Sequence, residues 1–373
     1  MRRPPKSDNL GQRHESMLMT HRGSGAARRS VVQILAQLAQ PLVVACALLA
    51  GCELERGDSD MPRWHLPPTE SANAESPFAP LPASLGLPPH KVELGRRLFE
   101  DPRLSGGGDR SCADCHELTA GGVAPGESRS NHPLTQGGPY NVPTVFNVAF
   151  NFRFNWQGQY ESLEDHLSGP MMSAQVMNVS SWESLVARLR PIYDDAFVAA
   201  GYRGGVSEVT IRDALATYQR SLVTPDSRFD RALRGELQLT PEEARGHSLF
   251  LDVGCVSCHQ GVNIGGNMFQ RYGVMTSPFD RPEVERDYGR MLITGEESDA
   301  YVFRVPSLRN VAITAPYFHD GSARTLEEAV QRMAWVQIGY QLSDDEVSDM
   351  VTFLQTLTGE YQGFSLATAE GGP

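Results

Sequence analysis

Two five-residue stretches of this chain can do chemistry: Cys112-Ala113-Asp114-Cys115-His116 and Cys255-Val256-Ser257-Cys258-His259. Two cysteines separated by two residues place both thiols on one side of a helical turn. The histidine that follows presents an imidazole from the same side. That geometry adds two thiols to the vinyl groups of a haem and ligates its iron. A zinc ribbon is the competing use of two CxxC pairs. A ribbon does not require histidine after both pairs, and it uses a closer spacing than the 143 positions between His116 and His259. We therefore read two covalently bound haems c, attached at Cys112, Cys115, Cys255 and Cys258, with His116 and His259 as iron ligands.

A haem's sixth position decides its use. A strong ligand there favours electron transfer, and an open or displaceable one admits peroxide or oxygen. For the second haem the candidate is Met333, 74 positions after His259 on an apolar helical stripe; the alternative is an ordinary core methionine. For the first haem the candidate is His132, sixteen positions after His116 in a loop rich in Ser, Asn, Gly and Pro. Its alternative is a solvated loop histidine.

The elements that must position these residues are helices. Gly95-Arg96-Arg97-Leu98-Phe99 precedes the first motif and Gly246-His247-Ser248-Leu249-Phe250 the second, a weak repeat that predicts two related modules. Thr240-Pro241-Glu242-Glu243 is a capping box with proline at the first helical position, and Thr325-Leu326-Glu327-Glu328 and Ser343-Asp344-Asp345-Glu346 start two further helices. Leu326, Ala329, Val330 and Met333 share one face, as do Val347, Met350, Val351, Leu354 and Leu357; Ile211, Ala214, Leu215 and Tyr218 mark another helix. Strand-like alternation is scarce. The predicted class is mainly α, with two cytochrome c-like domains over residues 83–224 and 225–362, each carrying one covalent c-type haem, and with the seam at Thr224-Pro225-Asp226-Ser227.

Outside these modules, Arg22, Arg28 and Arg29 precede an apolar run from Val31 to Ala50 that closes in Leu49-Ala50-Gly51-Cys52. That order of basic, apolar and small residues reads as an export signal over residues 1–51. The closing tetrapeptide resembles a bacterial lipobox, so Cys52 is the expected lipid anchor, on the periplasmic side of a bacterial membrane. A plain signal peptide or a membrane helix is the alternative. Residues 52–82, acidic and rich in Ser and Pro, read as a flexible tether, and 363–373 as a tail. The chain's net charge is −12, and residues 1–51 hold seven Lys/Arg against two Asp/Glu, so the remainder carries about −17. Nucleic acid is thereby excluded as a partner; the acidic surface can steer a basic redox protein, and solubility alone accounts for it equally well. Of six cysteines, four lie in the motifs, Cys46 in the apolar run and Cys52 at its end, which leaves no disulfide framework.

Three more stretches make the resemblance specific: Asn141-Val142-Pro143-Thr144-Val145-Phe146-Asn147, Pro306-Ser307-Leu308-Arg309-Asn310 and Thr314-Ala315-Pro316-Tyr317-Phe318-His319-Asp320-Gly321. With the two CxxCH motifs in order, the chain from about Lys91 to Gly359 resembles the bacterial dihaem cytochrome c peroxidase family. The resemblance implies an enzyme that reduces hydrogen peroxide to water with electrons from a small cytochrome c or copper protein. It implies His116 and His259 as proximal ligands, Met333 on the electron-accepting haem, His132 as a displaceable distal ligand and Trp156 between the haems. It also implies a calcium ion held by Asn141, Thr314 and Pro316, and a homodimer.

The sequence departs from the family where peroxide cleavage needs a distal acid/base. Counting ungapped from Asn141, the family's catalytic glutamate falls on Val176 and its glutamine partner on His166. Three readings stay open: a peroxidase whose acid/base has moved to His166, a dihaem electron carrier, or an oxidase that modifies a partner protein. Relatives of the last kind place tyrosine where this chain has Met333. The alternative for His166 itself is a helix-surface histidine.

Overall fold

The computed structural model describes residues 76–124, 132–135, 138–278 and 287–368, with the side chains of 132–135, 138, 139 and 368 outside that description. All of these residues fall in one compact unit, Met61–Pro373. The segment expected to be an export signal, its Cys52, and the tether up to residue 75 lie outside the described residues.

The described chain is mainly helical and holds two large hydrophobic cores and a small third cluster of Leu81, Ala149, Phe150 and Val223. The first packs α1 (Pro89–Phe99), α2 (Leu163–His166), α3 (Ser168–Met172), α4 (Trp182–Ala199) and α5 (Glu208–Ser221). The second packs α6 (Arg228–Leu233), α7 (Pro241–Asp252), α9 (Leu326–Met333) and α10 (Asp344–Gln355), and the short α8 (Met291–Thr294) lies in the connection before α9. Thr240, Ser343 and Thr325 cap their helices as expected, the first two in reciprocal capping boxes. After Met333 the chain widens into a π-turn, Ala334–Ile338, which no sequence signal announced. Among the described residues, strands occur only as three antiparallel pairs: β1 (His132–Thr135) with β2 (Gly138–Tyr140), β3 (Phe269–Arg271) with β4 (Val302–Arg304), and β5 (Glu360–Tyr361) with β6 (Phe364–Ser365).

The repeat goes deeper than the G-x-x-L-F sequence suggested. A Cβ on Gly95 would stand 2.1 Å from the Ala214 carbonyl oxygen of α5, and one on Gly246 would stand 2.0 Å from the Asp349 carbonyl oxygen of α10. In both modules, glycine lets the helix before the motif press against the module's last helix. Pro143-Thr144-Val145-Phe146-Asn147-Val148-Ala149 and Pro306-Ser307-Leu308-Arg309-Asn310-Val311-Ala312 form a second repeat. Asn147 and Asn310 are both left-handed (φ 58° and 61°), and each is followed by a 3₁₀ turn. At the seam both hold Thr224: Asn147 Nδ2 and Asn310 Nδ2 donate to its hydroxyl at 2.8 and 3.0 Å.

Two expectations are corrected. Residues 76–82 are not a tether but a strap that sets Phe78 in the second core and Leu81 against Ala149, Phe150 and Val223. Phe78 and Leu81 are buried, Gly261 N–H donates to Pro77 O, Arg309 Nη2 to Ala79 O at 3.0 Å, and Leu81 N–H to Asp230 Oδ1 at 3.1 Å. Nor is 363–368 a free tail, because Leu366 is buried in the first core and Tyr361 packs edge-on against Phe146. Apolar side chains spaced too sparsely to show periodicity anchor both ends.

Candidate cofactor sites

In the second module, Cys255, Cys258, His259 and Met333 line one cavity of about 600 Å³, walled largely by Val, Leu, Ile, Phe and Pro side chains. That size and lining suit a large flat apolar cofactor with few polar anchors. His259 Nδ1 lies 3.4 Å from Ile264 O, so Nδ1–H donates and Nε2 keeps the lone pair that an iron would take. Burial pushes the His259 pKa down to about 4, against the pull of backbone carbonyls, so the ring is neutral as ligation requires. Gly265 is built for this place: at φ +126°, its Cβ would meet Pro306 O at 2.1 Å and His259 Nδ1 at 3.3 Å.

The first module repeats the arrangement. Cys112 and Ala113 N–H donate to Phe99 O at the end of α1, and His116 N–H donates to Cys112 O. His116 Nδ1 lies 3.1 Å from Gly122 O. Thr144 hydroxyl donates to Gly121 O, just as Ser307 hydroxyl donates to Asn263 O behind the other histidine. Burial raises the thiols, Cys112 to about 12 and Cys255 to about 11, so both are protonated at neutral pH in the bare chain.

The distal residues separate. His132 pairs in register with Tyr140 across the β1–β2 hairpin, and its side chain lies outside the described residues. His166 is the last residue of α2, begun as expected by Ser162, but it is no surface residue. Its ring sits between Phe154 and Tyr160, its Nε2 is 2.8 Å from Asn155 Oδ1, and its Nδ1 is enclosed without a partner. Burial first, then the nearby His116 and Arg304, push its pKa down to about 4, so it is a neutral imidazole at pH 7. Val176 packs on the first core, and its carbonyl accepts from Arg110 Nη1 at 2.7 Å.

Trp156 lines the second module's cavity from the first module's side: Nε1–H donates to Asn141 O at 2.8 Å, and Trp156 O accepts from Arg304 N–H at 2.8 Å. Asn141, Thr314 and Pro316 also line that cavity. The Asn141 amide lies 2.6 Å from Pro316 O and 3.2 Å from Phe318 O. Turning the amide over presents Oδ1 beside these carbonyls, a set of neutral oxygens that fits a hard cation. Among the described residues, no cluster of His, Cys, Asp and Glu could hold a metal ion.

Two functional candidates were not legible. His319 is buried and stacked on Phe303, with its Nε2 3.4 Å from Asp287 Oδ2. Arg304 is 5% exposed, and burial pulls its pKa down to about 10. Each depends on partners distant in the chain.

Comparison with known proteins agrees with this geometry. The family model for di-haem cytochrome c peroxidase matches residues 89–238, and that for cytochrome c matches residues 243–358. The chain is 39% identical over 296 residues to cytochrome c551 peroxidase of Nitrosomonas europaea, covering 79% of this chain and 87% of that protein. It is 41% identical over 297 residues to cytochrome c peroxidase Ccp of Escherichia coli, covering 79% of this chain but 63% of that longer relative. A solved MauG-like protein associated with microbial copper homeostasis superposes with a TM-score of 0.64 at 30% identity, over 80% of this chain and 95% of that one. Two repeated modules, each presenting two thiols and an imidazole, and matches of this length together mean that the chain belongs to the di-haem cytochrome c peroxidase family.

Proposed function

We propose that this chain is a dihaem c-type cytochrome peroxidase, reducing hydrogen peroxide to water with electrons from a small cytochrome c or copper protein. The observation that carries the reading is the shared cavity of Cys255, Cys258, His259 and Met333, bordered by Trp156 on the side of the first module. A haem supplies one-electron chemistry in both places: a thioether ligand suits a high-potential relay, and a displaceable sixth position suits peroxide. In this reading His259 and Met333 hold the relay haem, His116 and the displaceable His132 hold the reactive one, and Trp156 lies on the path between them.

Reduction of one peroxide takes two electrons and two protons and yields two waters. His166 is the proposed proton carrier. With Nε2–H committed to Asn155, the Nδ1 lone pair accepts a proton from the near oxygen of peroxide and returns it to the far one. Because Nδ1 is enclosed, Phe154 or Tyr160 must shift to admit it. Asn141, Thr314 and Pro316 would hold calcium between the modules. Cys52 would carry a lipid anchor on the periplasmic side, and two copies would form the working unit. Among the described residues no helix is long and apolar enough to cross a membrane.

Val176, apolar where the family has its acid/base, favours a second reading, a dihaem electron carrier. Steady-state peroxide consumption with a reduced small cytochrome decides between them. The peroxidase turns over well above free haem, and His166→Ala lowers turnover ~10²-fold or more. Full activity in that variant removes His166 from the mechanism; no turnover in the parent, even after pre-reduction, leaves the carrier.

A further inference from the structure

A buried guanidinium is costly unless a counter-charge meets it. Arg304, on β4, lies in the wall of the second module's cavity. Its Nε is 3.3 Å from Asn155 O, and its Nη1 is 3.4 Å from both Asn151 Oδ1 and Val305 O. These are long bonds to neutral oxygens and do not offset a full charge in a dry place. No carboxylate among the described residues pairs with it.

The charged and titratable groups on the elements packed around it are Arg271 and Tyr272 from β3 and the turn after it, Arg290 beside Val302, His319 and Asp287 over Phe303, His259 across the cavity, and His166 beyond Asn155. The sole carboxylate in that set, Asp287, faces His319 and accepts from Gly289 N–H. A haem c in this cavity brings two carboxylates of its own, the propionates.

We propose that Arg304 is the counter-ion of a haem propionate in the second module's cavity. It is a positioning residue in a second sense. Its backbone N–H holds Trp156 O and its side-chain Nε holds Asn155 O, so one residue ties the cofactor's carboxylate to the turn that carries Trp156 and orients His166. The proposal rests on two covalent haems, not on peroxidase activity.

The consequence is electrochemical. A propionate in a dry cavity without a cation takes up a proton as the iron gains an electron, and the midpoint potential then falls with rising pH. Paired with Arg304, the propionate stays ionised and the midpoint is flat. The test is mediated redox titration of the holoprotein from about pH 5.5 to 8.5, followed in the visible spectrum without peroxide or donor protein. The parent and Arg304→Lys give a flat midpoint for the Met-ligated haem. Arg304→Gln loses at least tenfold in the reduction equilibrium constant at the alkaline end, a drop of ~59 mV, and acquires a slope that narrows the gap as pH falls. A sloping midpoint in the parent overturns the proposal, as does a Gln variant that titrates like the parent. A pyridine haemochrome spectrum counts covalent haems separately, so absence of haem is not mistaken for failure of the pairing.

Discussion

The two modules are built on one plan and differ at matching positions. Gly95 and Gly246 make the same helix contact, Thr144 and Ser307 brace the loops behind the two motif histidines in the same way, and Asn147 and Asn310 adopt the same left-handed turn. Yet Phe146 of the first module corresponds to Arg309 of the second, and Arg96 corresponds to His247. One feature accounts for both exchanges: at these two positions Phe78 and Ala79 of the strap meet the second module, while Leu81 packs against Ala149, Phe150 and Val223 of the first. Phe146 fills the first core, whereas Arg309 reaches the strap's Ala79 carbonyl and pairs at 2.7 Å with Asp230, both side chains fully buried. Arg96 stays in water between Glu93 and Glu100, whereas His247 lies among Phe78, Phe229 and Phe353.

The comparison is broken most sharply at Met333. If the second module holds the relay haem, Met333→Ala abolishes the near-infrared sulfur-to-iron band and lowers donor-driven peroxide turnover by ~100-fold or more, while both haems remain covalently attached. A band that survives would mean that the thioether comes from elsewhere and that the modules are not unequal in the way proposed.

The next largest effect is expected at Arg309, where the strap is clamped. Arg309→Met leaves Asp230 buried without its partner and should cost ~3–5 kcal/mol in denaturant unfolding. Asp230 also accepts from Leu81 N–H and from the Ser227 hydroxyl, so the loss should loosen the strap first. Protease cleavage near residues 76–82 ahead of global unfolding is the expected signature. Unchanged stability would show that the buried pair is neutral and that Phe78 and Leu81 alone hold the strap.

What the sequence disclosed follows the range of each interaction. The caps at Thr240, Thr325 and Ser343 and the stripe ending in Met333 are written within one or two helical turns, and all appear where they were read. The CxxCH geometry is equally local. The strap's Leu81–Asp230 bond and the Arg304 bonds to Asn155 and Asn151 span 149 or more positions of the chain, Leu366 joins a core otherwise built from residues 94–222, and no local pattern encodes them. His166 shows the boundary within one residue. Its capped helix was legible, but its enclosure by Phe154 and Tyr160 was not.

The smallest expected effect tests the exchange of Arg96 for His247. The His247 Nε2 is buried without a partner, and burial lowers its pKa below the ordinary value near 6.5. Below that value the unfolded chain binds a proton that the folded one resists, so folding stability contributed by the neutral ring is present at pH 7 and is lost as pH falls from ~6.5 toward the folded pKa. His247→Leu keeps the apolar contacts with Phe78 and Phe353 and removes the titrating group. It should match the parent within ~1 kcal/mol at pH 7.5 and outlast it at pH 5, with a flatter dependence of the denaturation midpoint between them. Arg96→Leu, at the matching but solvated position of the first module, should leave that dependence as it is. If both variants flatten it equally, the acid sensitivity belongs to the fold at large and not to the strap, and the explanation offered for the two exchanges fails.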